Sequence, residues 1–359
     1  MPRRILHLDS GREWRGGQRQ LLLLADGQRA AGLEPLVVTP PHTALLSRCR
    51  DHGIAVAAVR MRSHLDLLAV RRLHQLIRQW RPDLIHAHDA RSLAIASVAR
   101  LLHREIPLIV TRRSTAAPGR VRQYAKSATR VIAISDAVAA ALHEAGVPPD
   151  RIRRVYPGVR PPVVAAARDW RTETGWAADD VIAGVIRAGS DIALITLADA
   201  VERLLPEDRS RLRLITFGGT MVGTERLNDV PLFRVGHVHD MPAAIAGLDL
   251  LVQPVAGDGL GTPIVEALAL RVPVVVGRTG SLGEIVDDGV DGLLVPPGDP
   301  VALAQALSRL LHDEEFRRRL GSAGPARAAQ FDVSRFVAGV EAVYDDARRT
   351  ARAWRGRSQ

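Results

Sequence analysis

Short runs rich in Ile, Leu and Val alternate along this chain with longer stretches whose apolar residues recur every three to four positions. In the first half, "RRILHLD", "LEPLVVTP", "DLIHAHD", "PLIVTRR" and "RVIAIS" are brief and apolar, as buried parallel strands are. Helical patterning is predicted over 17–32, 65–80, 91–103 and 135–145. Within 65–80, Leu65, Leu68, Leu73, Leu76, Ile77 and Trp80 are expected near one face, with Arg71, Arg72 and Arg78 elsewhere. After "VYPGVRPP" (155–162), where Pro and Gly concentrate as in a linker, the alternation resumes. Strands are predicted at "VIAGVI", "RLRLITFGG", "LDLLVQPV", "RVPVVVG" and "DGLLVPP". Helices are predicted at 190–205, 240–247, 262–270, 300–312 and 313–330, with one or two more over 333–354. Repeated strand–helix units imply an α/β chain with doubly wound parallel sheets. A length of 359 residues favours two such domains. Two Rossmann-like domains facing one another are expected, with a ligand in the cleft at the carboxyl ends of the strands.

One such strand end carries unusual chemistry. In "GDGLGTPIVEA" (257–267), Asp258 and Glu266 stand eight positions apart with three glycines, a threonine and a proline around and between them. "LDLLVQPV" before it reads as a strand, and "TPIVEALAL" as a helix whose Pro263 suits a first turn. The segment between is therefore a glycine-rich strand-to-helix turn. Glycines let backbone amides approach a ligand without Cβ interference, and the helix start adds N–H donors and partial positive charge. A carboxylate accepts from two vicinal hydroxyls, so the arrangement suits a polyhydroxylated ligand. Turn formation by Asp258 and solvation of Glu266 would account for the same pattern.

Charge and composition narrow the classes. The hydrophobic content is 47% and the formal charge +10. Residues 1–160 hold 27 basic and 12 acidic residues, a balance of +15, whereas 161–359 hold 22 and 27, a balance of −5. The first half is thus expected to meet phosphate, a phospholipid surface or nucleic acid. Base-composition bias explains why Lys126 is the one lysine among 49 basic residues; it does not explain why the halves differ. Against nucleic acid stand a 4% aromatic content and the lack of a recognised module. The lone Cys49 leaves no disulfide framework within the chain, no apolar run approaches a membrane span, and "MPRRILHLDS" is too short in its apolar stretch for a signal peptide. A cytoplasmic protein is expected.

With these residues in view, Asp258-x7-Glu266 resembles the E-x7-E motif of retaining glycosyltransferases with the GT-B fold, family 4 in particular. The block "GHVHDMPAAIAGLDLLVQPVAGDGLGTPIVEALALRVPVVVGRTGSLGEIVDDGVDGLLVPPGDPVALAQAL" is similar to that family's C-terminal domain almost throughout. "WRGGQRQLLLLADGQRAAGLEPLVVT", "PDLIHAHDARSLAIA" and "SATRVIAISDAVAAALHEAGVPPDRIRRVYPGV" resemble its N-terminal segments. The likeness covers most of the chain and is looser over 163–230.

The resemblance implies an acceptor-side domain over 1–160, on which a C-terminal helix (about 340–359) packs back, and a donor-binding domain over 161–339. It implies that Glu266 holds the ribose of a nucleotide-sugar donor and that Asp258, Gly259, Leu260, Gly261 and Thr262 meet the donor sugar. Asp258 is one methylene shorter than the usual Glu. Gly16 and Gly17 match the loop that approaches the donor diphosphate, with Trp14 and Gln20 flanking it. The usual Lys-Gly pair is missing from "GVIRAGSDIALI", which leaves Arg187 as the local cation for the leaving diphosphate. Arg112 and Arg113 follow a strand end and favour an acceptor bearing phosphate. His88 is a catalytic or acceptor-side candidate at another strand end. His86 is expected on the opposite face, packed inside, and no third ligand has recognisable spacing for a metal.

The resemblance further implies retaining transfer of a sugar from a nucleoside diphosphate to a hydroxyl of a glycan or lipid-linked acceptor. A leaving phosphate oxygen would take the proton, and no cofactor or metal is expected. "WRGGQRQ" resembles enzymes of bacterial lipopolysaccharide and surface-glycan assembly, and the arginines at 348, 349, 352, 355 and 357 would dock the protein on an anionic inner-membrane face. The missing Lys leaves open a nucleotide-sugar-binding protein without turnover. The shared architecture leaves open a nucleotide-sugar epimerase.

Overall fold

The computed structural model describes residues 3–64, 66–115, 121–186, 192–255 and 261–357; the side chains at 121–123 and 353–357 lie outside that description. The chain divides into two compact units, Met1–Gly158 with Val333–Gln359, and Val159–Asp332.

The first unit runs β1 (Arg4–Leu8), α1 (Gly16–Ala30), β2 (Glu34–Thr39), α2 (Ala44–Asp51), β3 (Ala55–Ala58), α3 (Leu67–Trp80) and β4 (Leu84–Ala87). It continues with α4 (Ala90–Ala99), β5 (Leu108–Arg112), α5 (Val121–Ser127), β6 (Arg130–Ala133), α6 (Asp136–Glu144) and β7 (Ile152–Arg154). Its sheet has the order β3-β2-β1-β4-β5-β6-β7, and every pairing is parallel. The second unit holds α7 (Trp170–Thr174), β8 (Val181–Ile186), α8 (Ile192–Glu202), α9 (Pro206–Arg211), β9 (Leu212–Phe217), β10 (Gly223–Leu227), β11 (Val230–Gly236) and α10 (Met241–Ala246). There follow β12 (Leu250–Gln253), α11 (Thr262–Ala269), β13 (Val274–Gly277), α12 (Leu282–Ile285), β14 (Gly292–Val295), α13 (Pro300–His312) and α14 (Glu314–Ala328). Its order is β10-β11-β9-β8-β12-β13-β14, with only β10 antiparallel among the described pairings. The last helix, α15 (Val333–Arg357), belongs to the first unit.

Strand alternation splits the first unit's core in two. Leu6, Leu8, Ile85, Ala87, Leu108 and Val110 pack one way, with Leu73 and Ile77 of α3 and Leu93 of α4. Ile5, Leu84, Ile109 and Ile132 point the other way, onto Leu24 of α1 and Val340, Val343, Tyr344 and Ala347 of α15. The final helix is thus one wall of the first unit's core rather than an appendage. Short polar side chains start many of the helices: Thr43, Asp66, Asp89, Ser135, Asp169, Asp240, Asp299 and Asp313 each accept from a first-turn N–H.

Some patterns read from the sequence differ in space. Leu68, expected on the buried face of its helix, is exposed, as is Leu67. The buried stripe of α3 instead begins at Ala69 and continues through Leu73 and Ile77. The Ala-rich edge strand β3 and the helix α2 before it were not among the predicted elements, nor was the β10–β11 hairpin.

In the second unit α14 lies tight on α11. A Cβ on Gly321 would stand 2.2 Å from the Arg271 carbonyl oxygen, and one on Gly324 2.5 Å from that of Leu268. Backbone oxygens cannot rotate away. Gly321→Ala gains about 1 kcal/mol of helix propensity, but overpacking costs about 1–3 kcal/mol or more. A net loss of stability is expected, read as a lower urea midpoint.

Candidate functional site

The first unit gathers its polar chemistry on one face of three adjacent strands. Along β1 the inward sequence is Ile5, His7, Asp9; along β4 it is Leu84, His86, His88; along β5 it is Ile109, Thr111, Arg113. Each begins apolar and turns polar toward its carboxyl end. His7, Asp9, His86, His88 and Thr111 are all buried.

These groups are hydrogen-bonded in several adjoining sets. His7 Nδ1 lies 3.0 Å from His88 Nε2, and His7 Nε2 lies 2.8 Å from Gln28 Oε1. Gln28 donates through Nε2 to Glu341 of α15 at 2.8 Å, and Glu341 pairs with Arg3 at 2.7 Å. His86 reaches Tyr344 Oη at 2.6 Å and Thr111 Oγ1 at 2.7 Å. Arg113 donates to the His88 carbonyl at 2.7 Å and lies 3.2 Å from His88 Nδ1. Asp89, the N-cap of α4, also accepts from the backbone and hydroxyl of Ser10, both at 2.7 Å. Asp9 accepts from Gln18 at 2.8 Å and from the Gly11 amide at 2.9 Å.

His86 therefore does not point away from His88. Residues two apart on a strand share a face, and their rings lie 4.1 Å apart. A third imidazole does exist: His7 comes from the neighbouring strand, a relation that no sequence spacing reveals. The three rings could in principle surround a cation, yet all six ring nitrogens already have partners and the Arg113 guanidinium adjoins them. A metal would have to displace those bonds beside a positive charge.

Burial sets the protonation states. It lowers His7 to about 4 and holds His86 and His88 well below the ordinary imidazole value, with Arg113 and the neighbouring rings adding to the effect. Burial, then the charge of Asp89, raises Asp9. Burial also lowers Arg113, against the pull of Asp9 and Asp89.

The expected acceptor-side residues separate. Arg113 joins the imidazoles, and a Cβ on Gly17 would lie 3.8 Å from its guanidinium carbon, so Arg113 borders the amino end of α1. Arg112, on the other face of the strand, donates from Nε to the Ser114 carbonyl at 2.9 Å and lies beside Tyr124. Consecutive arginines on a strand cannot act as one clamp. His88 is 4% exposed with both ring nitrogens occupied, which leaves it no nitrogen for an acceptor. Gly16 opens α1 with space around its Cα. Trp14 stacks under Arg48, whose guanidinium carbon is 4.5 Å from the ring centroid, and packs on Leu21, Leu45 and Cys49. Gln20 clamps Gly158 through both ends of its amide, at 2.7 and 2.9 Å.

In the second unit the described residues reach Val255 and resume at Gly261; Arg187, Asp258, Gly259 and Leu260 lie outside them. Gly261 is the N-cap of α11 with φ +77°, a left-handed conformation that favours glycine, and a Cβ there would meet Leu282 at 2.6 Å. Pro263 has no N–H, and the Ile264 N–H is spent on the Gly261 carbonyl at 2.8 Å. Among the described residues, the amides at this helix start without an intrahelical bond are those of Gly261 and Thr262; those of Gly259 and Leu260 lie outside the described residues. Glu266, half-buried, stands one turn into the helix. Gly277 of β13 backs the turn: a Cβ there would be 2.3 Å from the Pro254 carbonyl oxygen. Gln253, the last residue of β12, is buried with its Oε1 unbonded among the described residues. No sequence signal singled it out.

Two α/β units built on mainly parallel sheets match the GT-B architecture of glycosyltransferase structures. The Glycosyltransferase Family 4 model matches residues 14–161, and the Glycosyl transferases group 1 model matches 181–313. A D-inositol 3-phosphate glycosyltransferase of Acidothermus cellulolyticus is 30% identical over 75% of this chain and 69% of its own length. The chain belongs to glycosyltransferase family 4. The phosphatidyl-myo-inositol mannosyltransferase of Mycobacterium leprae is 26% identical over 92% of both chains. An uncharacterized glycosyltransferase of Methanocaldococcus jannaschii is 38% identical, but the match spans only 27% of either chain. Among solved structures, Anabaena HepE in complex with UDP superposes with a TM-score of 0.82 at 23% identity, covering 96% of this chain and all of that one. The lipopolysaccharide outer core galactosyltransferase WaaB gives 0.76 at 13% identity, covering 96% and 98%.

The imidazole layer makes the first unit sensitive to acid. The unfolded histidines bind protons below their ordinary value of 6.5, whereas folded His7 resists until about 4 and the other two are also held well below that ordinary value. Their stabilisation is complete above pH 6.5 and is lost as pH falls toward 4. The raised carboxyls of Asp9 and Glu341 act in the opposite sense, since folded they bind protons more readily. Urea midpoints are expected to fall between pH 7 and pH 5.

Proposed function

We propose that the protein transfers a sugar, with retention of configuration, from a nucleoside diphosphate to a hydroxyl of a glycan or lipid-linked acceptor. The observation that carries the reading is the start of α11: Gly261 in a left-handed turn at a strand's carboxyl end, with Glu266 one helical turn on, in a chain of family 4. In this reading Glu266 accepts from the ribose hydroxyls. Asp258 and the amides of Gly259, Leu260, Gly261 and Thr262 hold the donor sugar, and Arg187 with the amino end of α1 at Gly16 and Gly17 holds the diphosphate. Arg113 meets an anionic group on the acceptor side.

As the bond from the anomeric carbon to the diphosphate oxygen lengthens, negative charge grows on the phosphate and positive charge on the sugar. Donors fixed in advance stabilise that state without reorganising. The acceptor oxygen then bonds to the anomeric carbon, and its proton passes to a phosphate oxygen, leaving a glycoside and a nucleoside diphosphate. The residues named for this step include no nucleophile and no metal ligand. His88 enters through Arg113, because its own ring nitrogens are engaged.

The complexes of HepE with UDP and with UDP-glucose support a nucleotide-sugar donor. The names of the M. leprae mannosyltransferase and of WaaB support a lipid-linked or lipopolysaccharide-type acceptor. We further propose a cytoplasmic protein that meets the inner membrane face. Opposite the imidazoles, at the amino ends of the first unit's strands, two adjoining cavities of about 550 and 580 Å³ are bordered by Arg78, Arg81, Arg104, Lys126, Arg348 and Arg352. Leu102 beside them is 80% exposed. No described helix is long and apolar enough to cross a membrane.

A thermal-shift screen across nucleoside diphosphates and their sugars, followed by product analysis, tests the reading. One nucleotide sugar is expected to raise the melting point, since a ligand at about 100 times its Kd stabilises by about 2.7 kcal/mol. Glu266→Ala should weaken that donor roughly 10- to 100-fold, the loss of about 1.5–3 kcal/mol for a charged hydrogen bond. Donor binding without transfer to any acceptor would instead indicate a binding protein, and acceptor-independent isomerisation an epimerase. Co-sedimentation with anionic vesicles should be strong at low salt and fall as salt rises; failure to bind at low salt would remove the membrane contact.

A further inference from the structure

The tautomers of the buried imidazoles follow from the groups at the end of the chain. Glu341, ionised against Arg3, can only accept, so Gln28 must donate to it through Nε2. That orientation turns Gln28 Oε1 toward His7, whose Nε2–H then donates to it. Neutral His7 is left with a bare Nδ1. The His88 nitrogen 3.0 Å away must therefore carry the hydrogen, which makes His88 an Nε2–H tautomer with a bare Nδ1. That lone pair faces an Arg113 N–H at 3.2 Å. The alternative tautomer of His88 fails at both ends: two lone pairs would meet at His7 and two N–H groups at Arg113. A carboxylate on the last helix thus dictates, through one amide and two imidazoles, which atom of His88 meets the guanidinium.

We propose that His7 is a positioning residue for Arg113: its Nδ1 fixes the tautomer of His88, whose bare Nδ1 and carbonyl oxygen aim the guanidinium at the amino end of α1. The two bonds to His88 use two of the five N–H groups of Arg113, and the rest of the fork lies beside Gly17, where an anionic substrate group would sit. Asp9 and Asp89 flank the guanidinium and keep it charged despite burial. His7 touches no substrate; it acts two bonds away. The kinetic part of this inference rests on the transferase reading, whereas the tautomer part does not.

The test compares three replacements of His7. Asn places an oxygen near the position of Nδ1 and can accept from His88 Nε2–H, but it does not reach Gln28. Gln places its amide near the position of Nε2, keeps contact with Gln28, and leaves a methylene facing His88. Leu does neither. Imidazole nitrogen NMR at neutral pH is expected to find His88 as the Nε2–H tautomer in the wild type and in His7→Asn. In His7→Gln and His7→Leu it should be mixed or Nδ1–H. With the donor found by thermal shift, kcat/KM should fall roughly 10- to 100-fold in His7→Gln and His7→Leu, chiefly through KM for the phosphate-bearing substrate, and stay within about 3-fold in His7→Asn. Should His7→Leu fail to fold, the Asn and Gln pair carries the comparison.

An Nδ1–H tautomer of His88 in the wild type overturns the proposal, and so does equal behaviour of the Asn and Gln variants. If the wild type transfers no sugar while the NMR pattern holds, it is the transferase reading that has failed and not the relay.

Discussion

The first unit depends on a buried polar layer that has to be satisfied from within. Three central parallel strands begin apolar and end in His7 and Asp9, His86 and His88, and Thr111 and Arg113, all on one face. Parallel strands are covered on both sides, so these groups cannot turn to water. A buried donor or acceptor without a partner costs about 1–3 kcal/mol, and the layer contains six imidazole nitrogens alone. The partners come from both ends of the sequence: Gln28 on α1, and Glu341 and Tyr344 on α15. This is a physical reason for a C-terminal helix to lie on an N-terminal unit. It contributes Val340, Val343 and Ala347 to the core, and it also closes the hydrogen-bond inventory of the strand ends.

The same layer separates scaffold from site. Toward the amino ends of β1, β4 and β5 the face is apolar and packed. Toward the carboxyl ends it becomes neutral imidazole and then charge, in Asp9, Asp89 and Arg113. Apart from the Arg3–Glu341 pair behind Gln28, charge in this layer lies toward the carboxyl ends, and the neutral rings separate it from the hydrocarbon beneath. Neutrality is maintained by burial rather than by acidic partners, since the shifts of all three rings are led by desolvation. Protonated rings here would be repelled by Arg113.

Much of this was legible in the sequence, and what was missed has identifiable causes. "VIAGVI" coincides with β8, and the helix over 300–312 with α13, because continuous apolar runs and Asp-Pro starts leave little choice of boundary. The change from apolar to polar along "ILHLD", "LIHAH" and "IVTRR" is visible by counting every second residue, and that count places His86 with His88. Gln28 and Glu341 could have been noticed as polar residues on otherwise apolar helical stripes, Leu21–Leu24–Ala25 and Val337–Val340–Tyr344. That they meet one another cannot be read from one chain's spacing, because Gln28 and Glu341 are separated by 313 positions. β3 and the β10–β11 hairpin lie at sheet edges, where partial burial weakens the apolar signal. The glycine turn before α11 is only partly open to comparison: Asp258 and Arg187 fall outside the described residues, while Gly261 and Glu266 fall within them.

The two units solve the same problem of strand-end chemistry differently. Of the second unit's turn after β12, the described part is the start of α11, with a left-handed glycine, a proline without an N–H and a half-buried Glu266; Gly277 of β13 lies close against Pro254. That unit also leaves the Gln253 Oε1 unbonded in a buried position among the described residues. The first unit fills its strand ends until nearly every described polar atom has a protein partner, and the outer part of the Arg113 fork is what it presents. A saturated strand end can do little more than present one rigidly aimed cation.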